Sequence, residues 1–205
     1  MPRTLVIDTA TAACSVALIE DGRVIDARHQ VVGRGHAERL VPMIADLPDG
    51  GRAEAILVDV GPGSFTGIRV GIAAARGLGL GWGVQVTGYS STALVAAAAF
   101  ARGITSPLAV VLEGGHGEVF MQMYAAFPFV ALDNLASRRP DAALKALAGR
   151  PAVGNGTRWI APLDAALMLH DALPVAADAI LLPEAFTILP ARPLYGRAPD
   201  AKLPA

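Results

Sequence analysis

The chain has 205 residues, a formal net charge of −1 and a mean hydropathy of +0.46, with 53% hydrophobic and 17% charged residues. This charge balance argues against a protein that binds nucleic acid by itself, because such proteins usually present a basic face. Its apolar runs fall short of the roughly 20 residues that a membrane-spanning helix needs. The single cysteine, Cys14, excludes an internal disulfide and suits a reducing compartment, so we expect a cytoplasmic protein without membrane contact.

The first half of the chain alternates strand and helix patterns in the order typical of a mixed sheet covered by helices. Asp21-Gly22 stands between two strand patterns and is a favoured two-residue hairpin turn. Pro42 should kink the first helix, because proline cannot donate a backbone hydrogen bond. Strands are predicted at 4–8, 14–20, 23–30, 55–60 and 84–87, and helices at 36–47, 67–80 and 90–101.

After a polar boundary at 102–107 the pattern begins again and then becomes irregular. Prolines after position 181 disfavour a long helix at the end of the chain. We therefore predict an α/β fold with a duplicated β-β-β-α unit, divided into an N-terminal subdomain at 1–102 and a smaller C-terminal subdomain at 103–205 with a Pro-rich tail. In the second half, strands are predicted at 108–112, 118–124, 127–132 and near 153, and helices at 141–147 and 162–170.

A glycine-rich turn leads into the second helix, where residues 61–71 are GPGSFTGIRVG. Ser64 or Thr66 can cap this helix, and a helix that starts after such a turn can bind an anion. The segment lacks the lysine of a Walker loop, however, and its spacing does not fit the dinucleotide-binding fingerprint. The turn therefore favours a structural role over a phosphate site.

Small residues recur at every fourth position of the same helix. Gly67, Gly71, Ala75 and Gly79 leave one helix face almost without side chains, although glycine inside a helix costs about 1 kcal/mol relative to alanine. Two explanations stay open: tight packing inside the chain, or close approach of a helix from a second protein. Both predict a surface built for contact rather than for chemistry.

Three turns that follow predicted strands are candidates for phosphate-binding loops, and equally for ordinary capped turns. The four histidines show no metal-binding pairing, Ser64 lacks the glycines of a nucleophile elbow, and no paired carboxylates are evident. We therefore predict no catalytic residue and no metal site. The loop candidates are Asp8, Thr9, Gly114, Gly115, Gly154 and Gly156.

Five further segments of the chain are informative together: IDTATAACSVAL (7–18), GHAERLVPMI (35–44), GPGSFTGIRVGIAAARGLGLG (61–81), GEVFMQMY (117–124) and PLYGRAPDAKLP (193–204). In order and spacing they resemble the bacterial TsaB (YeaZ) family, which is also described as glycoprotease-like or peptidase M22-like. Two details depart from the family pattern: residues 112–116 are LEGGH where an IDAR-like segment is usual, and the connection at 48–52 is short.

The resemblance implies an actin-like (ASKHA, Hsp70-like ATPase) fold of two ribonuclease-H-like subdomains, the second truncated. It also implies a non-catalytic subunit that binds a TsaD-like catalytic paralogue, in the complex that adds threonylcarbamoyl to adenosine in tRNA. A TsaE-like ATPase would join that complex, and tRNA would be reached only through it. In the catalytic paralogue a metal-binding HxxxH motif opens the helix that corresponds to 90–101, where this chain has Ser90-Ser91-Thr92. We therefore expect no cofactor, with residual nucleotide binding left open.

In this family, self-pairing and pairing with the catalytic subunit use the first two helices. The resemblance therefore places dimerisation helices in the N-terminal subdomain and implies a homodimer when the chain is alone. The residues themselves leave a second hypothesis open, a nucleotide-dependent enzyme such as a sugar-kinase-like ATPase, while a metallopeptidase has almost no residue support. The expected interface residues are His36, Arg39, Leu40, Met43, Gly67, Arg69, Val70, Gly71, Ala74, Ala75 and Leu78.

Overall fold

A computed structural model of the chain describes residues 3–196. These residues form two lobes, and each lobe is built on a six-stranded sheet that contains both parallel and antiparallel pairs. The end of the expected Pro-rich tail, including most of the segment at 193–204, lies outside the described residues.

The first lobe has the strand order β12-β5-β4-β1-β2-β3. Its outermost strand, β12 (Leu189–Pro190), comes from the end of the chain and pairs with β5, so the C-terminal half is not confined to the second lobe. The other strands are β1 (Thr4–Asp8), β2 (Ala13–Glu20), β3 (Arg23–Val31), β4 (Ala55–Asp59) and β5 (Gln85–Tyr89), and the helices are α1 (His36–Ala45), α2 (Phe65–Trp82) and α3 (Ser91–Ala101).

The second lobe has the strand order β11-β10-β6-β7-β8, and β9 also pairs with β7. Short 3-10 turns connect its later elements and replace the longer helices seen in the first lobe. Its elements are β6 (Leu108–Gly115), β7 (Glu118–Ala125), β8 (Val130–Ala131), β9 (Ala136–Arg138), α4 (Pro140–Leu147), β10 (Ala152–Val153) and β11 (Leu169–His170).

Most of the predicted elements are confirmed, and local chemistry explains them. Asp21 and Gly22 both have positive φ angles, of 50° and 71°, as the tight turn between β2 and β3 requires. Ser64 caps α2, because its side chain accepts a hydrogen bond from the Gly67 N–H. Gly83, at φ 70°, ends the same helix in the left-handed conformation typical of C-terminal caps.

The predicted helix at 162–170 is wrong. Asp164 is extended, with φ −156°, and its carboxylate accepts a hydrogen bond from the Ala166 N–H, which forms a local turn. The chain then enters β11, and a 3-10 turn at Ala161–Leu163 is the only helical structure within the predicted span. The predicted strand at 127–132 is reduced to β8, while β9 and β12 were not predicted.

Helix α3 lies between the two sheets and joins the lobes. It packs against both of them, and residues 91–99 are all buried. A helix buried on every side must lack a polar stripe, which explains the alanine-rich sequence. Helices α1 and α2 lie elsewhere, side by side over the outer face of the first sheet.

Candidate docking face and interlobe cleft

The small-residue stripe of α2 packs against the chain's own sheet, so it is not available to a second protein. A Cβ atom added to Gly67 would lie 2.0 Å from the Thr9 carbonyl oxygen, and one added to Gly71 would lie 2.5 Å from Thr9 Oγ1. A Cβ atom added to Gly79 would lie 2.4 Å from Val86 Cγ2. The first of the two explanations is therefore correct, and Gly67, Gly71 and Ala75 cannot be interface residues while the chain keeps this fold.

Three expected interface residues of α1 are also buried in the chain. His36, Leu40 and Met43 are only 7%, 1% and 8% exposed. His36 Nε2 lies 2.9 Å from the carbonyl oxygen of Thr11, so this side chain ties the start of α1 to the turn after β1. Apolar residues at helical spacing mark the face that packs on the core, and we wrongly assigned that face to a partner.

The remaining expected interface residues lie at the edge of the core or outside it. Arg39 and Arg69 are exposed. Val70, Ala74 and Leu78 are half-buried, and all three pack against the core beneath α1 and α2.

Helices α1 and α2 pack against each other, and we call the exposed residues of both helices the outer helical face. Three large apolar side chains stand on it: Val41 is 62% exposed, Phe65 62% and Leu80 88%. Its charged residues are three arginines and one glutamate. The outer helical face comprises Ala37, Glu38, Arg39, Val41, Pro42 and Ala45 of α1, and Phe65, Thr66, Arg69, Ala73, Arg76, Gly77, Leu80 and Gly81 of α2.

An arginine and two aromatic rings form an ordered cluster at one end of this face. The Arg69 guanidinium carbon lies 3.2 Å from the centroid of the Phe65 ring, and Arg69 Nη2 donates a hydrogen bond of 2.7 Å to the Tyr195 hydroxyl. The Phe65 and Tyr195 rings are roughly parallel, with centroids 6.2 Å apart. The spacing of Phe65 and Arg69 on one helix could have revealed half of this cluster, but no local signal points to Tyr195.

The turn after β1 is closed by the start of α2. The Ser64 N–H donates to the Ala10 carbonyl oxygen at 2.6 Å, and a Cβ atom on Gly63 would lie 2.0 Å from that oxygen. Thr9 Oγ1 donates to the Gly67 carbonyl at 2.7 Å, and Asp8 and Thr9 are 0% and 1% exposed. Asp8 and Thr9 therefore cannot reach a phosphate, and the GPGSFTG segment covers this turn instead of forming a ligand loop.

Two carboxyl groups meet below the closed turn, a pair that the sequence did not reveal. Asp8 accepts a hydrogen bond of 2.7 Å from the Tyr89 hydroxyl. Asp59 accepts from the Gly61 N–H at 2.7 Å and from the Ser91 hydroxyl at 2.6 Å. Burial raises the pKa of both carboxyls, and the neighbouring Asp8 raises the pKa of Asp59 further, well above its ordinary value.

A cleft of about 910 Å³ separates the lobes. Residues of the other two candidate phosphate-binding loops, at 114–115 and 154–156, line part of it. Gly114 and Gly115 line it, together with Asn155, whose Oδ1 accepts a hydrogen bond from the Glu113 N–H at 3.1 Å. Gly154 and Gly156 do not line it. They are needed for packing, since added Cβ atoms would lie 2.3 Å from the Val111 carbonyl oxygen and 2.7 Å from the Leu112 carbonyl carbon.

Residues 3–196 contain no group of three or more histidine, cysteine, aspartate or glutamate side chains placed to hold a metal ion. Within the same residues, no helix combines the length and apolar character needed to cross a membrane.

Comparison with known proteins gives three kinds of likeness. Residues 28–147 match the family model TsaD, described as tRNA N6-adenosine threonylcarbamoyltransferase. The tRNA threonylcarbamoyladenosine biosynthesis protein TsaB of Escherichia coli is 39% identical over 127 residues, which are 60% of this chain and 54% of that protein. This chain thus spans about half the length of the curated relatives it matches.

Two solved structures extend the likeness to nearly the whole chain. A Pseudomonas aeruginosa protein described as similar to the peptidase YEAZ superposes with a TM-score of 0.79 at 28% identity, covering 96% of this chain and 100% of the other. The ethanolamine utilization protein EutJ of Carboxydothermus hydrogenoformans superposes with a TM-score of 0.50 at 12% identity, covering 88% of each chain, and shares the fold alone.

Proposed function

The chain belongs to the TsaD family and, within it, to the TsaB (YeaZ) group, and from this premise we propose that it is a non-catalytic scaffold and activator in the formation of threonylcarbamoyladenosine in tRNA. The expected actin-like fold of two lobes, the second truncated, is confirmed. The partner is a TsaD-like catalytic subunit, with a TsaE-like ATPase in the same complex and tRNA reached only through it.

The observation that carries this proposal is the outer helical face. Val41, Phe65 and Leu80 are mostly exposed on two helices that pack side by side, and exposed large apolar side chains on one surface are a feature of interaction sites. Arg39, Arg69 and Arg76 are exposed on the same two helices and add positive charge that Glu38 only partly offsets. A partner surface that is apolar at its centre and acidic at its rim would be complementary. The same face would pair two copies when the chain is alone.

The start of α3 supports a non-catalytic role. The Ser91 hydroxyl donates a hydrogen bond of 2.6 Å to a carboxyl oxygen of Asp59. Thr92 hydrogen-bonds the Tyr124 hydroxyl and the Gln122 side chain, each at 2.9 Å, and so links the first lobe to the second. By the resemblance, the catalytic paralogue would carry its metal-binding histidines at this point of the chain. Here the side chains of Ser91 and Thr92 hydrogen-bond within the protein instead.

A sugar-kinase-like ATPase is less well supported. Such an enzyme would need the carboxylate at the end of β1 to face a metal–phosphate group. Asp8 is instead fully buried, and it is hydrogen-bonded to Tyr89. Purified chain that hydrolysed ATP or transferred its phosphate would restore this alternative.

The proposal is tested with this chain and the TsaD-like protein of the same organism. Light scattering after size-exclusion chromatography should detect a heterodimer, and adding the chain should increase threonylcarbamoyl transfer to tRNA by the catalytic protein. Val41→Glu should abolish both effects, because it buries a charge in the apolar centre of the contact. Val31→Glu is the matched control, since Val31 lies on β3 and is exposed to nearly the same extent, 63% against 62% for Val41. Transfer by the purified chain alone, or a heterodimer unaffected by Val41→Glu, would contradict the proposal.

A further inference from the structure

The chain passes from the first lobe to the second at 102–107, and it returns to the first lobe after β11. The returning segment, residues 171–190, lies across the face of the first sheet that carries α3 and ends in β12 at the edge of that sheet. We call this segment the C-terminal strap. Because it contacts both lobes, its attachments determine how far the lobes can move relative to each other.

Apolar packing and one buried hydrogen bond attach the middle of the strap to the first lobe. The 3-10 turn Ala176–Leu181 packs on β1, β2 and β3 and also on α3. Ala176 is fully buried, and its N–H donates to the Ser15 hydroxyl of β2 at 3.0 Å. Ser15 is itself buried and donates to the Arg28 carbonyl of β3 at 3.3 Å. A buried N–H that loses its acceptor is left desolvated and unpaired, so this bond anchors the strap to the sheet.

An ion pair joins the two places where the chain crosses between the lobes. Arg102 follows α3 at the first crossing, and its Nη2 lies 3.0 Å from Asp178 Oδ2 in the strap. Beside this pair, residues 172–175 pack against α3 and leave a void of only about 10 Å³, which is no more than one water molecule needs. The two crossings are therefore held side by side.

The far end of the strap is attached to both lobes in turn. The Phe186 ring packs edge-on against Phe129 of the second lobe, with centroids 4.8 Å apart. A few residues later β12 pairs with β5 of the first lobe, with Leu189 opposite Gly88. Gly88 allows this close approach, since an added Cβ atom would lie 3.2 Å from the Pro190 carbonyl oxygen. Along the chain, the contact with the second lobe thus lies between two attachments to the first.

We propose that the C-terminal strap is a clasp that holds the two lobes at one fixed angle, so that the chain moves as a single rigid body. Hinge motion between lobes requires connecting segments that can change backbone conformation without losing their packing. Any change of angle here would pull the Phe186 ring away from Phe129 or the strap away from Ser15. The inference does not depend on the scaffold function.

The experiment measures the distance between one spin label on each lobe by pulsed electron paramagnetic resonance. The labels are attached to Arg52→Cys in the first lobe and to Lys145→Cys on α4 in the second, both exposed positions. The native Cys14 is fully buried and should stay unlabelled. An excess of unlabelled protein removes distances between copies. We expect one narrow distribution of distances.

Two variants loosen the strap at different attachments. Ser15→Ala removes the acceptor of the Ala176 N–H, and Phe186→Ala removes the ring that contacts Phe129. Each should speed hydrogen exchange in residues 171–190, which reports local opening, and each should add longer interlobe distances to the distribution. Ser64→Ala is the matched control. It also removes a hydroxyl that accepts from a backbone N–H, but that bond lies wholly within the first lobe, so the distribution should stay narrow.

Three results would overturn the proposal. The first is a wild-type protein that already shows two or more interlobe distances. The second is a distribution that stays narrow in both strap variants, whether or not exchange in the strap becomes faster. The third is broadening by Ser64→Ala equal to that caused by the strap variants. If Ser15→Ala does not fold, the test rests on Phe186→Ala, because Phe186 is only half-buried and lies near the end of the strap.

Discussion

The two faces of helix α2 differ in composition and in role. The inner face carries a stripe of glycine and alanine beside Ile68 and Ile72. This stripe lies so close to β1 and its turn that Gly67 has no room for a Cβ atom. The outer face carries Phe65, Arg69, Arg76 and Leu80, all exposed to solvent. Small residues at regular helical spacing indicate that another backbone approaches the helix closely, but they do not show whether that backbone belongs to the same chain. Large side chains left exposed on the opposite face are the better indication of a partner.

The largest expected effect comes from filling the inner face. Gly67→Val should lower the free energy of unfolding by about 3 kcal/mol, because the new side chain would overlap the Thr9 backbone. Gly77→Ala is the control on the exposed side of the same helix, where a Cβ atom meets nothing within 4 Å. It should raise stability by up to about 1 kcal/mol. Urea unfolding followed by circular dichroism measures both, and equal effects of the two substitutions would contradict the assignment of the faces.

The carboxyl pair beneath the inner face should make stability depend on pH. Because the folded-state pKa values of Asp8 and Asp59 are raised, the native state binds more protons than the unfolded chain, and stability falls as pH rises above the unfolded value of about 3.9. Asp59→Asn removes the more strongly shifted group, so the fall should become shallower. Urea unfolding of both proteins at several pH values tests this, and parallel stability curves would show that Asp59 does not contribute to the pH dependence.

The cap of α2 should have an intermediate effect. Ser64→Ala removes the side chain that accepts from the Gly67 N–H, which should cost about 1 kcal/mol of stability. Thr66→Ala tests the other cap that the sequence allowed, and it should cost less, since Thr66 is exposed in the first turn and is not the capping residue. The reverse order in thermal or urea unfolding would show that the cap has been assigned to the wrong residue.

The smallest expected effect on stability belongs to the outer face. Phe65→Leu removes the ring beneath the Arg69 guanidinium, and an exposed cation–π contact is worth about 0.5–1 kcal/mol. A double-mutant cycle with Arg69→Met isolates this coupling. Exposed cation–π contacts do not exceed about 1 kcal/mol. A much larger coupling energy between Phe65 and Arg69 would therefore mean that the cluster is a structural element rather than part of an accessible surface.

Local signals were sufficient to predict most of the fold. Asp21-Gly22 predicted the β2–β3 hairpin, and the helical spacing and caps predicted α1, α2 and α3 to within a few residues. The helix predicted at 162–170 failed because Asp164 turns the backbone into an extended conformation. Strand β12 was missed because two residues carry no periodicity, and only their pairing with β5 makes them a strand.

The candidate site was harder to predict because it depends on contacts between distant parts of the chain. Asp8 and Asp59 meet only because β1 and β4 are parallel neighbours, with Ile7 opposite Val58. The interlobe cleft combines residues of both lobes, and Tyr195 reaches Arg69 from the end of the described chain. The resemblance indicated which helices to expect at the interface. It did not indicate which side of each helix faces outward, because that depends on how deeply each residue is buried in the fold.

If the outer helical face binds the catalytic paralogue, substitutions on that face must lower the affinity of the complex, which calorimetry measures. Leu80→Glu places a charge on the most exposed apolar residue of α2, so it should weaken binding of the TsaD-like protein by at least about tenfold, or 1.4 kcal/mol, while the unfolding curve stays that of wild type. The β3 variant Val31→Glu should bind like wild type. Unchanged affinity for Leu80→Glu, or equal weakening by Val31→Glu, would show that the outer helical face is not the binding site.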